Sequence, residues 1–567
     1  MILILSLSAG LSAASVQQHS TYEGQLTASN LLANPFELVC HVVVDGPSTS
    51  RHAKMNITMF YDGGYKYGWR FTPDAVGEWH WTSVCAPGFG LDHQQGTVQS
   101  TPAPVGARLG AIMVDPSEPT QLVYASGKPY VLVGLELDWL WATGLLNGTS
   151  AMQSVVSGLA AIGVNHVLVQ IYAHSTSGSP LPPLVPPRVS PTPTTPWASA
   201  DQLTLDLDFW HNYEAMLEML AEANVIAHVM FYVGNKNVGW PAAQSAADDL
   251  YWITAMARLG AYPSVVLDVS KEAGSANAGR PTSYFVERMR LMQSMNAHGR
   301  ILTSHSGFDW SNRCDAAPEL CEVISAQIHL GDNKGIAEVA PLYHPFLAQA
   351  AVQATTPYIN VEFFYQWGPV DGCHFSCCNA CTNQSNAAGT NASALSAAPA
   401  AAEANLNEMR RVMWDNYMAG AAIAGACWYH DDLGWDILDP RALDWRPATS
   451  TASQMATLRT LRAFWESVPR RDFDMSATEL CVGNVQPATA VIHCLARRNG
   501  TVTTGMILHI RTAKASFKVL GLPAQARLDG YWLDPASTDS SSVPFVAGGV
   551  QQQPVSFEQD AILYVAA

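Results

Sequence analysis

The chain is 567 residues long, beyond the usual reach of one hydrophobic core, so roughly two to four domains are expected. It has a net charge of −17 and only 14% charged residues. This acidic, weakly charged surface excludes nucleic acid or an anionic membrane as the main partner and suits a protein acting on neutral substrates.

The first residues, MILILSLSAGLSAAS, hold an apolar stretch of about ten residues followed by Ser12 and Ala14, small residues placed for a secretory cleavage. Residues 1–14 are therefore read as a signal peptide, although no basic residue precedes the stretch, and a secreted, extracellular location is expected. N-x-S/T triplets at Asn56, Asn147, Asn383, Asn391 and Asn499 agree with a glycoprotein. No later apolar run is long and continuous enough to span a bilayer. Eleven cysteines imply disulfides with one thiol left over. Spacing suggests Cys40 with Cys85, Cys314 with Cys321 and Cys481 with Cys494, leaving Cys427, inside an apolar run, as the unpaired one. The cluster Cys373, Cys377, Cys378 and Cys381 suits either a zinc site or a disulfide-stapled loop; in an oxidising compartment the loop is expected, with no metal and no cofactor.

Residues 20–103 contain short alternating runs such as ELVCHVVV and NITMFY between turn signals such as DGG, the pattern of an antiparallel β-sandwich. Trp79 and Trp81 fall on its strands, as core residues or as a sugar platform. Residues 104–470 alternate strand-like runs with helical stretches. The runs are YVLVGLEL, HVLVQIYAH, VIAHVMFYV, SVVLDVSKE, ILTSHSG, VISAQIHL, PYINVEF and GACWYHDD. Eight strands with intervening helices predict an α/β domain, a (β/α)8 TIM barrel.

Because successive strand side chains face opposite sides, parity sorts the residues. Val167, Val169 and Ile171 oppose His166, Gln170, Tyr172 and His174. Val225, Ala227, Val229, Phe231 and Val233 oppose His228 and Tyr232. Val265, Leu267 and Val269 oppose Asp268, Ser270 and Glu272, and Ile359, Val361 and Phe363 oppose Asn360 and Glu362. A polar face on each strand predicts a lined interior, with Glu272 and Glu362 pointing into it at the end where barrel active sites lie. Long inserts follow the second strand (the proline-rich 175–197) and the seventh, as expected of functional loops or tolerated surface expansions. Residues 471–567 return to short strands, read as a small C-terminal β-domain.

Two glutamates ending strands four and seven, with Trp428 in the eighth, resemble clan A retaining glycoside hydrolases, and apiosidase-like barrels most. The N-terminal segments NPFELVCHVVV and MFYDGGYKYGWRFTPDAVGEW are similar to a β-sandwich module of unknown function that often precedes such barrels. The resemblance covers about four fifths of the chain. It implies Glu272 as acid/base and Glu362 as nucleophile in a double displacement on a carbohydrate substrate. Trp139, Tyr172, Tyr232 and Trp428 are the expected sugar-binding walls. His174, His305 and His329 are expected to bond sugar hydroxyls, and each equally suits a structural role. In one respect the chain departs from the family: Lys271 precedes Glu272 where the resemblance implies asparagine. An ammonium close to Glu272 would favour its carboxylate, against the needs of a general acid. Glu136 and Asp138 are spare carboxylates of the first strand. Loss of catalysis, leaving a carbohydrate-binding or adhesion protein on a degenerate barrel, is the alternative.

Overall fold

A computed structural model describes residues 14–104, 106–137, 140–171, 195–234, 239–272, 279–306, 317–327, 356–362, 366–370, 373–375, 410–411, 413–418, 422–423, 457–468, 470–476, 478–512, 514–523, 528–537, 542–557 and 560–566. It begins with two facing sheets. One orders Ala14–Gln17, Gln95–Thr101, Gly77–Cys85, Cys40–Asp45 and Lys54–Thr58; the other orders Tyr22–Thr27, Lys66–Phe71 and Phe60–Tyr61. Alternate residues Val42, Val44, Met55, Ile57, Trp69, Phe71, Trp79 and Val98 fill the space between them. Cys40 and Cys85 are directly opposed in register and form a disulfide. Trp79 is buried, and Trp81 packs half-buried against Trp69, so both serve this core.

Eight parallel strands follow in sequence order. They are Gly134–Glu136, His166–Gln170, Ile226–Met230, Val265–Asp268, Leu302–Thr303 resuming after Ser304 as His305–Ser306, Ile324–Gln327, Tyr358–Glu362 and Ala422–Ile423. Each hydrogen-bonds its sequential neighbour on either side of the break at Ser304. The eighth strand was expected at 425–432, which lies outside the described residues. Helices Thr149–Ala161, Leu207–Glu222, Ala246–Leu259 and Thr282–Met295 alternate with the strands. Their starts are fixed by local chemistry: the Asp206 side chain accepts from the Asp208 and Phe209 amides, and Ser245 accepts from that of Asp248.

The parity expected for strands two to four is seen as far as Phe231 and Val269, but Tyr232, expected on the face opposite Phe231, packs in the helix-side core with it. Val167, Val169, Ile171, Ala227, Val229, Phe231, Val265, Leu267 and Val269 pack against helix residues such as Leu159, Met216, Leu217 and Met289. Each such fully buried aliphatic side chain stabilises the fold by roughly 1.5–3 kcal/mol. The opposite face carries Leu168, Ile226, Met230 and Val266 together with His166, Gln170, His228 and Asp268, and the hairpin Ile112–Asp115 and Glu118–Tyr124 packs onto it through Ile112, Leu122 and Tyr124. The seventh strand corrects the sequence reading. Ile359 and Val361 belong to this second face, while Tyr358 joins the helix-side core and the Asn360 amide donates to Asn416 in the helical segment 413–418. Between Asn360 and Glu362 the register slips by one residue, so that Glu362 pairs with Gln327. Alternation counted from Ile359 therefore does not carry through to Glu362.

The C-terminal part forms a six-stranded sheet and a three-stranded sheet around Cys494, Leu508, Phe517, Trp532 and Leu563, with a Cys481–Cys494 disulfide. Cys321 is disulfide-bonded; Cys314, Cys377, Cys378, Cys381 and Cys427 lie outside the described residues. Among the described residues, no helix is long and apolar enough to cross a membrane.

A buried ionic network ties the N-terminal sheets to the helices. Glu214 accepts from Arg70 at 2.8 Å and from Arg258 at 2.6 Å, Arg258 also donates to Asp62 at 2.8 Å, and both guanidinium groups lie over the Phe60 ring. Burial alone would raise the Asp62 pKa, but hydrogen bonds from His211 and Arg258 outweigh it and hold the carboxyl at about 2. Glu214 is likewise lowered, its two arginines outweighing burial. A depressed carboxyl pKa stabilises the fold above the unfolded value and loses that contribution as pH falls toward the folded one. Acid titration followed by tryptophan fluorescence should therefore show the N-terminal sheets loosening between about pH 4 and pH 2. Glu214→Ala, which strips two buried cations of their shared anion, is expected to cost about 3 kcal/mol in urea unfolding. A cost below about 1 kcal/mol would mean that the network does not hold the two parts together.

Candidate active site

Register builds the site in layers. Glu136, Leu168, His228 and Val266 share one level of the sheet, and Gln170, Met230, Asp268 and Thr303 share the next, toward the carboxyl ends of the strands. Beyond them the fourth strand runs on through Ser270 and Lys271, whose amide donates to the Tyr232 carbonyl at 2.8 Å. Glu272 follows in a turn with φ of 50°, the left-handed region, and is 7% exposed. A non-glycine residue held there stores about 1–2 kcal/mol of strain, and such residues concentrate at functional sites.

Lys271 is fully buried, and its ammonium pairs closely with Glu136 of the first strand. The charge expected to act on Glu272 thus has a carboxylate of its own, and the spare acid Glu136 is its counterion. Sequence reasoning singled out both residues without pairing them, because 135 positions separate them in the chain.

A second buried feature climbs across strands two to four. The Tyr130 hydroxyl lies 2.9 Å from His166 Nδ1, His166 Nε2 lies 3.3 Å from His228 Nδ1, and His228 Nε2 lies 2.7 Å from Asp268 Oδ2. Burial, then the neighbouring His228, push the His166 pKa well below the imidazole range, and burial keeps the Tyr130 phenol protonated. The Tyr130 hydroxyl also donates to the Asn165 carbonyl at 3.1 Å, so the tyrosine, the two imidazoles and the carboxylate form one contiguous buried row of polar contacts. The other Asp268 oxygen accepts from the backbone amides of Ser270 and His305, each at 3.0 Å. Asp268 is thereby a clamp: it gathers the ends of the fourth and fifth strands three residues before Lys271 and four before Glu272. The signal available in sequence was two histidines and an aspartate on matching parity in adjacent strands.

The predicted site residues divide as follows. Glu272 ends the fourth strand's extension; the Glu362 backbone ends the seventh strand, and its side chain is not among the described parts. Each stands at the carboxyl end of a parallel sheet, Glu272 beyond the five-stranded one and Glu362 in the four-stranded one. His305 is fully buried in the fifth strand with its amide on Asp268. Tyr232 is 5% exposed and packs within an aromatic group, stacked on Trp240 at 4.8 Å and edge-on to Phe285 at 5.4 Å. Trp139, Tyr172, His174, His329 and Trp428 lie outside the described residues. Among the described residues, no three His, Cys, Asp or Glu side chains are grouped as metal ligands would be.

Residues 15–86 match a family described as Domain of unknown function (DUF5060). No curated protein matches the sequence. The fold is similar to those of solved structures described as glycoside hydrolases. A protein from Bacteroides vulgatus provisionally described as a glycoside hydrolase superposes with a TM-score of 0.65 at 15% identity, covering 98% of this chain and 99% of that one. A glycoside hydrolase family 5 protein from the same organism gives 0.52 at 12% identity, over 81% and 93% of the two chains. A further structure, described as a glycoside hydrolase, gives 0.53 at 12% identity, over 81% and 97%.

The ion pair of Lys271 with Glu136 is directly testable. Lys271→Met strands a buried carboxylate and is expected to destabilise the protein by about 3–5 kcal/mol. The double variant Lys271→Met/Glu136→Gln should recover at least about 1 kcal/mol of that loss in urea melts. Additive losses would show that the two side chains do not act as a pair.

Proposed function

We propose that the chain is a secreted retaining glycoside hydrolase that cleaves O-glycosidic bonds of an oligosaccharide or polysaccharide by double displacement. The eight parallel strands are taken to close into a (β/α)8 barrel over 104–470, of the apiosidase-like kind, between an N-terminal sandwich at 20–103 and a C-terminal β-domain at 471–567. The observation that supports the reading is that the fourth and seventh strands, each in a parallel sheet, run toward Glu272 and Glu362 at their carboxyl ends. The likeness to glycoside hydrolase folds supports it, as do two disulfides for the extracellular location.

In this reading Glu362 attacks the anomeric carbon while Glu272 protonates the departing oxygen. Glu272 then deprotonates the water that releases the glycosyl-enzyme. The ammonium of Lys271, next to Glu272 in the chain, pairs with Glu136. Trp139, Tyr172, Tyr232 and Trp428 would offer ring faces to the sugar, and His174, His305 and His329 would meet its hydroxyls. A second reading, a carbohydrate-binding protein without catalysis, is favoured by one observation: a lysine engaged elsewhere stands where the resemblance implies an asparagine contacting the sugar.

A panel of 4-nitrophenyl glycosides assayed with wild type, Glu272→Ala and Glu362→Ala separates the two. Loss of at least about 100-fold in kcat/KM in both variants is expected, with the first-formed sugar keeping its anomeric configuration. Equal activity in wild type and Glu362→Ala rejects Glu362 as nucleophile. Glycan binding with no hydrolysis by the wild type establishes the second reading.

A further inference from the structure

Gln170 is fully buried at the carboxyl end of the second strand, yet neither its Oε1 nor its Nε2 has a hydrogen-bond partner. Its backbone is well held: the carbonyl accepts from the Trp141 indole at 2.8 Å, and the residue is in register with Met230. The side chain shares parity with His166 and Leu168, the face turned away from the helices, one level above Glu136 and level with Asp268. Buried polar groups are almost always satisfied in folded proteins, so a carboxamide with both ends unmet near the carboxyl ends of the strands points to a ligand that meets them.

We infer that the Gln170 carboxamide contacts substrate by bonding two adjacent sugar hydroxyls, and that the enzyme therefore takes neutral glycosides in preference to uronides or sulfated sugars. This rests on the glycosidase reading above. The chemistry fits in two ways. An amide offers one acceptor and one two-proton donor side by side, which matches hydroxyls on neighbouring ring carbons, each able to give and receive. The electrostatics disfavour an anionic sugar: the buried ammonium of Lys271 is already neutralised by Glu136, Asp268 lies level with Gln170, and Glu272 and Glu362 stand at the same strand ends. The net charge of −17 also disfavours the approach of an anion.

The test compares wild type, Gln170→Leu and Gln170→Glu in thermal melts and in hydrolysis of 4-nitrophenyl glycosides of glucose, galactose, mannose, xylose, arabinose and glucuronic acid. Gln170→Leu removes two unmet polar atoms from the ligand-free protein, so its Tm should rise by about 1–3 °C. A fall in Tm marks Gln170 as structural and overturns the inference whatever the activity. For the best neutral glycoside, Gln170→Leu should lower kcat/KM by about 10- to 100-fold, and this penalty should shrink to less than about 3-fold on the analogue deoxygenated at the contacted carbon. An equal penalty on every deoxy analogue overturns the contact, and a glucuronide hydrolysed faster than all neutral glycosides overturns the substrate class. If the wild type hydrolyses none of them, the glycosidase reading fails separately, and the same glycosides serve as thermal-shift ligands. Stabilisation of wild type but not of Gln170→Leu by a neutral glycoside then supports the contact; equal stabilisation, or none in wild type, overturns it.

Discussion

Parallel pairing is the constraint from which the site follows. When eight consecutive strands run in one direction, each hydrogen-bonded to its sequential neighbour, all their carboxyl ends lie at one edge of the array. Residues far apart in the chain then meet: Gln170, Met230, Asp268 and Thr303 come level although 133 positions separate the first from the last. The helices supply the driving force by covering one face with aliphatic and aromatic side chains, which leaves the other face for polar groups.

Polar groups held on that face must be partnered, and the partnering shapes the site. Lys271 would be costly if it were buried alone; with Glu136 it becomes a neutral element. Asp268 is met by one imidazole and two backbone amides, and the imidazole is oriented by a second histidine and a tyrosine. Such a buried row of polar contacts stiffens the strand ends. Just beyond this rigid clamp the backbone turns left-handed at Glu272. Strain of that kind persists only where the surroundings impose it, and here the Asp268 clamp, the Lys271 amide bond to Tyr232 and the Lys271–Glu136 pair do so. Gln170 stands apart from this pattern, since its own carboxamide is left unmet.

Much of the fold was legible in the sequence, for a physical reason. In strands two to four, β-branched and aliphatic residues alternate with histidine, glutamine and aspartate, so parity alone separates the two faces. The disulfides Cys40–Cys85 and Cys481–Cys494 were legible because each joins cysteines flanking a hairpin-sized or sandwich-sized stretch. The seventh strand misled because its apolar residues Ile359 and Val361 take the face turned away from the helices while Asn360 meets Asn416, and a one-residue slip intervenes before Glu362. Long-range charge pairing was beyond reach: nothing in the local sequence says that Lys271 turns to Glu136, or that Arg70 and Arg258 share Glu214. Side chains such as Gln170 announce themselves only through the partners they lack.

The proposed double displacement requires the carboxyl groups of Glu272 and Glu362 to face each other across one cavity. The most direct measurement is their separation in a crystal structure of the protein. A distance of about 5–5.5 Å between the Glu272 and Glu362 carboxyl groups, with both reachable by solvent, is the result expected of a retaining site. A distance of roughly 6.5–9.5 Å would contradict the double displacement in favour of an inverting geometry, and a larger one, or either group sealed against apolar neighbours, would contradict the site itself.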